Sequence, residues 1–297
     1  MSVVRLACPA CRIRLEAAGH ARWTCVSCGR DYLLRDGIYR FLSPDDLASR
    51  PGFDRQYAQV RQRDGAQRQP ADYRRLPMVS ASDPHAGDWG VRRVSFSTLV
   101  DLLRDRSPMR VADLGAGNGW LAYRLTRLGH AVVAIDRLDD DYDGLGVHRV
   151  YEVDVTWAQA DFDRLPLADG AMDVAVLNGS LHYSPDPGRT LAEARRVLAP
   201  GGVLVVMDSP MFHDPHDGEA MVADQQRRFG ADYGVAAPLR QGVGFLTFDR
   251  LRRQALEMGL RDRFIPSRGS LAWQVRRAMA RWRLGRAPAA FGVWVAQ

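Results

Sequence analysis

The chain contains no lysine: all 41 of its basic residues are arginine, against 35 acidic ones, for a formal charge of +6. So complete a bias marks overall composition rather than selection of single phosphate contacts, and the charge permits an anionic partner without designating one. No apolar run approaches the ~18 residues that span a bilayer. Nor are Met1 to Arg5 followed by the apolar segment of a secretion signal. The expectation is a soluble, cytoplasmic chain with no membrane span. At 297 residues and 46% hydrophobic content it can bury one large core and carry a small second module.

Cysteine is scarce and confined to the first 28 residues, as Cys8-Pro-Ala-Cys11 and Cys25-Val-Ser-Cys28 with thirteen residues between the pairs. Two thiol pairs on two knuckles can close a tetrahedron around zinc, and the stretch between them has the length of a short hairpin. A disulfide pair or a redox C-x-x-C is the alternative, which two such motifs at this spacing in a cytosolic chain disfavour. Zinc held by Cys8, Cys11, Cys25 and Cys28 would be structural, since four thiolates leave no open position. His20 falls outside both pairs and reads as a loop residue. Residues 29–42 read as a second hairpin turning at Asp36-Gly37.

The stretch that organises the remainder is Val111-Ala-Asp-Leu-Gly-Ala-Gly-Asn-Gly119. An apolar run carrying Asp113 and passing at once into Gly115, Gly117 and Gly119 is the pattern of a strand turning into a ligand-holding helix. Trp120, Leu121, Leu125 and Leu128 then give a helical stripe, Gly129 ends it, and Ala131 to Ile135 form a strand ending at Asp136. The run 138–146 is too polar and short for a full crossover helix. Further strands are expected at 157–160, 173–177, 203–207, 263–265 and 291–296, with helices at 188–198, 247–258 and 270–284. The last of these puts Val275, Met279 and Trp282 on one face, expected to meet the core, with Arg276, Arg277, Arg281 and Arg283 elsewhere as a solvated basic side; a phosphate-binding or lipid-headgroup surface is the alternative.

Residues 43–95 carry five prolines and little periodicity, with short helical pieces expected at 53–62 and after Asp88, and a further helix from Phe96 to Arg104. Its aromatics Phe53, Tyr57, Tyr73 and Trp89 fit a cap over a pocket or a seam docking the N-terminal module. Residues 209–246 read as an insertion whose His213 and His216 lie in a solvated loop. The division expected is thus 1–42, a linker and cap at 43–95, and a main domain at 96–297.

A dinucleotide fingerprint counted from Gly115 needs glycine at 120, and Trp120 would block the close packing it serves. The observed G-x-G-x-G with Asp113 before it resembles instead the first motif of class I S-adenosylmethionine-dependent methyltransferases. The segments Gln159 to Asp173, Asp173 to Tyr183 and Leu191 to Gly202 extend the resemblance, to the ubiquinone-biosynthesis-like branch, over roughly 111–208. Cys8 to Leu42, with two knuckles, an aromatic and then Asp36-Gly37-Ile38, resembles the zinc ribbon of the tRNA-methyltransferase activator family. Similar ribbons precede methyltransferase domains, including a family acting on ribosomal-RNA guanine.

The resemblance implies an α/β Rossmann-like sheet, mostly parallel with an antiparallel last strand, plus a small zinc ribbon. It implies S-adenosylmethionine as cofactor, with Asp113 attracting its ammonium and the backbone of Gly115, Ala116, Gly117 and Gly119 beneath its chain. Asp136 would accept the ribose hydroxyls, Asp161 and Phe162 would meet the adenine, and Asn178 would complete the cofactor set. His182 stands either as a general base, with Tyr183 orienting, or as a pocket wall. The implied activity is methyl transfer to a small-molecule acceptor at oxygen or carbon, because Asn178-Gly-Ser-Leu-His-Tyr lacks the N-P-P-[FY] grip of many N-methylating enzymes. RNA base methylation, favoured by the ribbon and the positive charge, is the alternative, and a protein partner docking on the ribbon is a third reading.

Overall fold

A computed structural model describes residues 5–19, 21–48, 57, 59–63, 65, 67–106, 108–233 and 242–297. In chain order the strands are β1 (Leu15–Ala17), β2 (Arg22–Cys25), β3 (Asp31–Arg35), β4 (Ile38–Arg40), β5 (Arg110–Leu114), β6 (Ala131–Asp136), β7 (Val155–Gln159), β8 (Met172–Asn178), β9 (Leu198–Met207), β10 (Met211–Phe212), β11 (Leu246–Thr247), β12 (Asp262–Pro266) and β13 (Gly292–Ala296). The helices are α1 (Pro44–Ala48), α2 (Pro70–Arg75), α3 (Ala86–Leu103), α4 (Trp120–Arg127), α5 (Pro187–Val197), α6 (Pro215–Tyr233), α7 (Phe248–Glu257) and α8 (Leu271–Leu284). The chain divides into two compact units: Met1–Arg74, Arg106–Leu177 and Gly188–Leu204 form one, and Arg75–Asp105, Asn178–Pro187 and Val205–Gln297 the other.

In the first unit the strands stand in the order β1-β2-β3-β4-β7-β6-β5-β8-β9. β5 pairs in parallel with β6 and β8, and β6 with β7. These strands are near-continuous Val, Ala and Ile, as a sheet covered on both faces requires, and Val111, Ala112, Val133, Ala134, Val174 and Val176 are fully buried. The N-terminal hairpins extend this sheet. β4 lies parallel to β7, in the register Ile38 to Trp157 and Arg40 to Gln159, while β1 to β4 pair antiparallel in sequence. The chain entering the hairpins is tied as well: Ala7 N–H donates to Pro166 O at 3.0 Å and Ala168 N–H to Arg5 O at 3.0 Å. Glu193 of α5 is buried and takes Arg196 at 2.7 Å, Arg12 at 3.5 Å and the Leu165 N–H at 2.9 Å, joining the first thiol knuckle to that helix.

In the second unit β9, β13 and β12 are neighbours, and β13 runs antiparallel to β12 from Asp262–Ala296 to Pro266–Gly292. The architecture is a Rossmann-like α/β sheet, parallel in the middle with an antiparallel end. Thr247 caps α7, its Oγ1 accepting from Arg250 N–H at 3.4 Å, and Gly259, at φ +71°, ends it.

Three local expectations change and one stands. The pieces placed after Asp88 and at 96–104 are one helix, α3, which buries Trp89, Val91, Ser95, Leu99 and Leu103 along a single side. The solvated loop expected around His213 and His216 is the start of α6, with Pro215 at the helix's first position, where the missing N–H costs nothing. The shortened connection expected between β6 and β7 is found: a 3-10 turn at Leu145–Val150, with no α-helix among these described residues. The apolar face of α8 is exposed, with Trp282 93% accessible, so it does not meet the core. Of the expected piece at 53–62, residues 57 and 59–62 are helical; Phe53 and its neighbours through 56, residue 58 and His20 lie outside the described residues.

Candidate functional site

In the first unit three parallel strands carry an acid at or beside their C-terminal ends: Asp113 in β5, Asp136 closing β6 and Asp161 two residues beyond β7. Ligands of open α/β sheets bind at these ends. Gly115, Gly117 and Gly119 all hold positive φ, +74°, +54° and +78°, and the loop is latched to β6 through Gly115 N–H and Ala116 N–H, both donating to Ile135 O at 2.8 and 3.0 Å. A Cβ on Gly119 would stand 2.5 Å from the Trp157 ring. Glycine is therefore demanded twice there, by backbone conformation and by packing.

Asp113 is 1% exposed and, among the described residues, neither of its carboxylate oxygens has a partner at full hydrogen-bond geometry. Burial, and then the neighbouring charge of Asp136, push its pKa up to about 7, with only weak relief from the Ala122 N–H. An orphaned buried carboxylate costs free energy unless a donor comes to meet it. Asp136 accepts Gly117 N–H through Oδ2 at 2.8 Å and Leu138 N–H through Oδ1 at 2.8 Å, so it shapes the glycine loop while each oxygen keeps a second lone pair. Burial, joined by the charges of Asp143 and Asp140, raises its pKa to about 6 against those two bonds.

The loop after β6 forms a knot of acids over the glycines. Asp140 Oδ1 accepts the N–H groups of Tyr142, Asp143 and Gly144. Asp143 takes Arg61 at 2.6 Å and the Asn118 amide at 3.2 Å, and its carbonyl lies 3.3 Å from where a Cβ on Gly117 would sit. Tyr73 donates its hydroxyl to Tyr142 O at 2.5 Å, so this ring packs against the loop rather than capping open space. Trp89 is buried on α3 beneath the Arg92 guanidinium, 4.6 Å from its centroid. Asp161 is paired with Arg137 at 3.3 Å and Arg164 at 3.5 Å. With Phe41, Ser43, Asp46 and Arg164 it lines a cleft of about 310 Å³ against the N-terminal hairpins. Phe162 is half-buried in the turn beside it.

The four cysteine sulfurs lie within 4.8 Å of one another and none is in a disulfide. A tetrahedral ion with ~2.3 Å bonds to sulfur needs sulfurs roughly 3.8 Å apart, and Cys8 Sγ and Cys28 Sγ stand at 3.8 Å. Each knuckle closes alike: Arg12 N–H donates to Cys8 O at 2.7 Å and Gly29 N–H to Cys25 O at 2.8 Å. Both closing residues are left-handed, at φ +61° and +69°, so only the second uses the residue type that bears this freely.

The left-handed glycine loop and the orphaned Asp113 beneath it make a site suited to a cationic or amine-bearing ligand whose chain can lie against backbone. Residues 112–206 match the family model for the methyltransferase domain. Among curated relatives, the malonyl-[acyl-carrier protein] O-methyltransferase of Hahella chejuensis is 32% identical over 117 residues, 39% of this chain and 42% of that protein. The 27-O-demethylrifamycin SV methyltransferase of Amycolatopsis mediterranei is 31% identical over 174 residues, covering 54% and 63%. The ubiquinone/menaquinone biosynthesis C-methyltransferase UbiE of Dinoroseobacter shibae is 30% identical over 131 residues, covering 42% and 52%. The chain thus spans about half the length of these relatives. A chain from the complex that holds the Haloferax volcanii Trm112 methyltransferase activator shares the fold, with TM-score 0.50, 18% identity and coverage of 82% of this chain and 96% of that one.

The residues fit S-adenosylmethionine: Asp113 offers a buried acceptor for an ammonium, unmet among the described residues, and positions 115, 117 and 119 of the loop carry no side chain. In the second unit, Asn178 closes β8, and His182 sits 8% exposed in the turn Leu181–Tyr183, Nδ1 3.1 Å from Ser209 Oγ and its ring 4.2 Å from that of Tyr183. Beside Ser209, Asp208 holds φ +56°, a strained conformation for a residue with a Cβ. Its Oδ1 accepts Ser95 Oγ–H at 2.5 Å, Ser95 meets Ser267 at 2.7 Å, and Oδ2 is buried without a hydrogen-bond partner among the described residues. Burial pushes the Asp208 pKa up to about 6. Sequence reasoning placed Asp208 only as a strand end; the available signal was that it follows Asp113, Asp136, Asp161 and Asn178 in the same topological position.

Proposed function

We propose that the chain transfers a methyl group from S-adenosylmethionine to a small-molecule acceptor at oxygen or carbon. The observation that carries this reading is the orphaned, buried Asp113 under the left-handed glycine loop of a segment matching the methyltransferase domain. The cofactor supplies an electrophilic methyl on a sulfonium, displaced in line by the acceptor's nucleophile. On this reading Asp113 holds the ammonium and the loop from Gly115 to Gly119 aligns the chain. Asp136 accepts from the ribose while fixing Gly117, and Asp161 and Phe162 meet the adenine, with Arg137 sharing the Asp161 carboxylate. The chain's tasks are then orientation and exclusion of water.

Saturating S-adenosylmethionine, at about 100 times its dissociation constant, is expected to stabilise the protein by roughly 2.7 kcal/mol, raising its melting temperature by about 4 °C. Asp136→Ala is expected to abolish that rise. A wild-type melting curve indifferent to the cofactor would sink the assignment.

His182 is proposed as the base for an acceptor that must lose a proton, its Nδ1 oriented by Ser209. Labelled cofactor in cell extract is expected to place its methyl in small organic molecules. Label in RNA would instead support base methylation, the reading the thiol module favours. With the acceptor identified, His182→Ala is expected to lower kcat by about 100-fold or more; full turnover would leave His182 a wall. Cys8, Cys11, Cys25 and Cys28 are proposed to hold one structural zinc. That the hairpins they staple join the chain's own sheet through β4 and β7 supports a role within this chain rather than docking of a partner.

A further inference from the structure

Helix α8 presents an apolar stripe to solvent. Leu271 is 78% exposed, Val275 52%, Met279 55% and Trp282 93%, a concentration of large apolar side chains that no other described helix shows. At 100° per residue these four, with Ala278 among them, fall within an arc of about 100°. Arg281 lies on one border of the arc and Arg283 on the other, both exposed. The opposite face holds the helix to its unit: Trp273 and Arg277 are half-buried, the Arg277 guanidinium stacks 4.5 Å over the Trp273 ring, and it donates to Pro288 O and Ala289 O. Ser270 caps the start, accepting Trp273 N–H at 3.3 Å, and Gly285, at φ +62°, closes the end. The stripe is therefore a face that a well-terminated helix turns outward while its other face is anchored.

No acidic residue occurs from Leu271 to Leu284, whereas arginine occurs at 276, 277, 281 and 283. The acids at the helix's far end are already engaged, Asp224 with Arg286 at 3.1 Å and Asp217 with Ala287 N–H at 2.9 Å. An apolar stripe bordered by cations on both sides, with a tryptophan in it, suits the boundary between anionic headgroups and acyl chains. A protein partner suits it less: fourteen residues make a helix about 21 Å long, and one stripe of it offers far less than the ~800 Å² per side of a stable protein interface.

We propose that α8 is an interfacial helix that lays its Leu271, Val275, Met279 and Trp282 stripe into an anionic lipid surface, with Arg281 and Arg283 on the headgroups. No helix of the described residues is long and apolar enough to cross a membrane, so the attachment would be peripheral and reversible.

Sedimentation of the full chain with phosphatidylcholine vesicles containing about 30 mol% phosphatidylglycerol, in about 0.1 M NaCl, tests this. The expected result is binding to these vesicles, roughly tenfold weaker or less on pure phosphatidylcholine, and weakened by added salt. Val275→Ser with Trp282→Ser, and separately Arg281→Glu with Arg283→Glu, are each expected to reduce binding tenfold or more. All four positions are exposed, so the melting temperature should not move, which separates lost binding from lost folding. A wild-type chain that stays in the supernatant overturns the proposal. So does a serine variant that sediments like wild type, or a concentration-dependent dimer dissolved by the serine substitutions, which would make a second copy the occupant. The measurement needs no methyl acceptor, so its outcome is independent of the proposed reaction.

Discussion

Replacing Cys25 with serine is expected to cost the protein its metal and the fold of its N-terminal hairpins. Cys25 is fully buried, closes β2, and its carbonyl already accepts Gly29 N–H at 2.8 Å, so the thiol has no freedom to be replaced by a neighbour. Few apolar side chains stabilise this part: Leu6, Leu15, Tyr32, Ile38 and Phe41 are buried there, and the strands are three to five residues long. A module that small cannot offset its conformational entropy by burial alone. Structural zinc contributes on the order of 10 kcal/mol or more in comparable four-ligand sites, which exceeds the whole stability of an ordinary domain. Freshly purified wild type is therefore expected to carry about one zinc per chain and Cys25→Ser less than about a tenth of that. Amide exchange should show the N–H groups of β1 to β3 losing protection while β5, β6 and β8 keep theirs, because the parallel strands have their own buried core. Chelation of the wild type should reproduce the pattern. Stoichiometric metal in Cys25→Ser, or wild type without metal and with fully protected hairpins, would contradict a zinc site.

The parts of this molecule that were legible in its sequence are those with local causes. The glycine loop, the turn at Asp36-Gly37, the Thr247 cap and the stops at Gly129 and Gly259 each depend on a residue whose conformational preference acts within a turn or two, and each stands where expected. The strands between 110 and 207, and the helices that follow the first and fourth of them, followed from apolar runs punctuated by acids and glycines. What escaped depends on partners far away in the chain. Gly90 and Ser95 make α3 look like two pieces, but Ser95 is a buried hydrogen-bonding residue whose partners, Asp208 and Ser267, are 113 and 172 positions off. His213, Asp214 and Asp217 disguise the start of α6, although Asp217 is there to accept Ala287 N–H. Periodicity located the apolar face of α8 and could not say what covers it. The spacing of apolar residues along a helix fixes which way its stripe points, and whether core or solvent lies there is decided by the rest of the fold.

Asp113→Asn is expected to make the apoprotein more stable and the cofactor-bound protein less so. The folded-state pKa of Asp113 is pushed up to about 7, against an ordinary value near 3.8. Between those values the folded chain binds a proton that the unfolded chain does not, so stability falls as pH rises through this window. A shift of three units amounts to roughly 4 kcal/mol lost by pH 8, less whatever relaxation admits water. Asp136 and Asp208, each raised to about 6, steepen the same fall below neutrality. Asparagine has nearly the same shape and no charge, so the variant should melt above wild type at pH 8, match it near pH 4, and show a shallower slope between. It also removes the Coulomb repulsion on Asp136, which acts in the same direction. The cofactor reverses the order. An ammonium meeting a buried carboxylate is a charge-assisted contact worth about 3 kcal/mol, and its loss should weaken S-adenosylmethionine binding about 100-fold. Wild-type affinity should correspondingly rise from pH 5.5 to pH 8 as Asp136 and then Asp113 change charge, while the variant's should rise less, through Asp136 alone and mostly below neutrality. Greater stability with weaker binding is what an acid kept for a ligand produces, since the free protein carries its desolvation penalty alone. If Asp113→Asn destabilises the apoprotein at pH 8, or binds the cofactor as wild type does, Asp113 is a structural residue and the ammonium is held elsewhere.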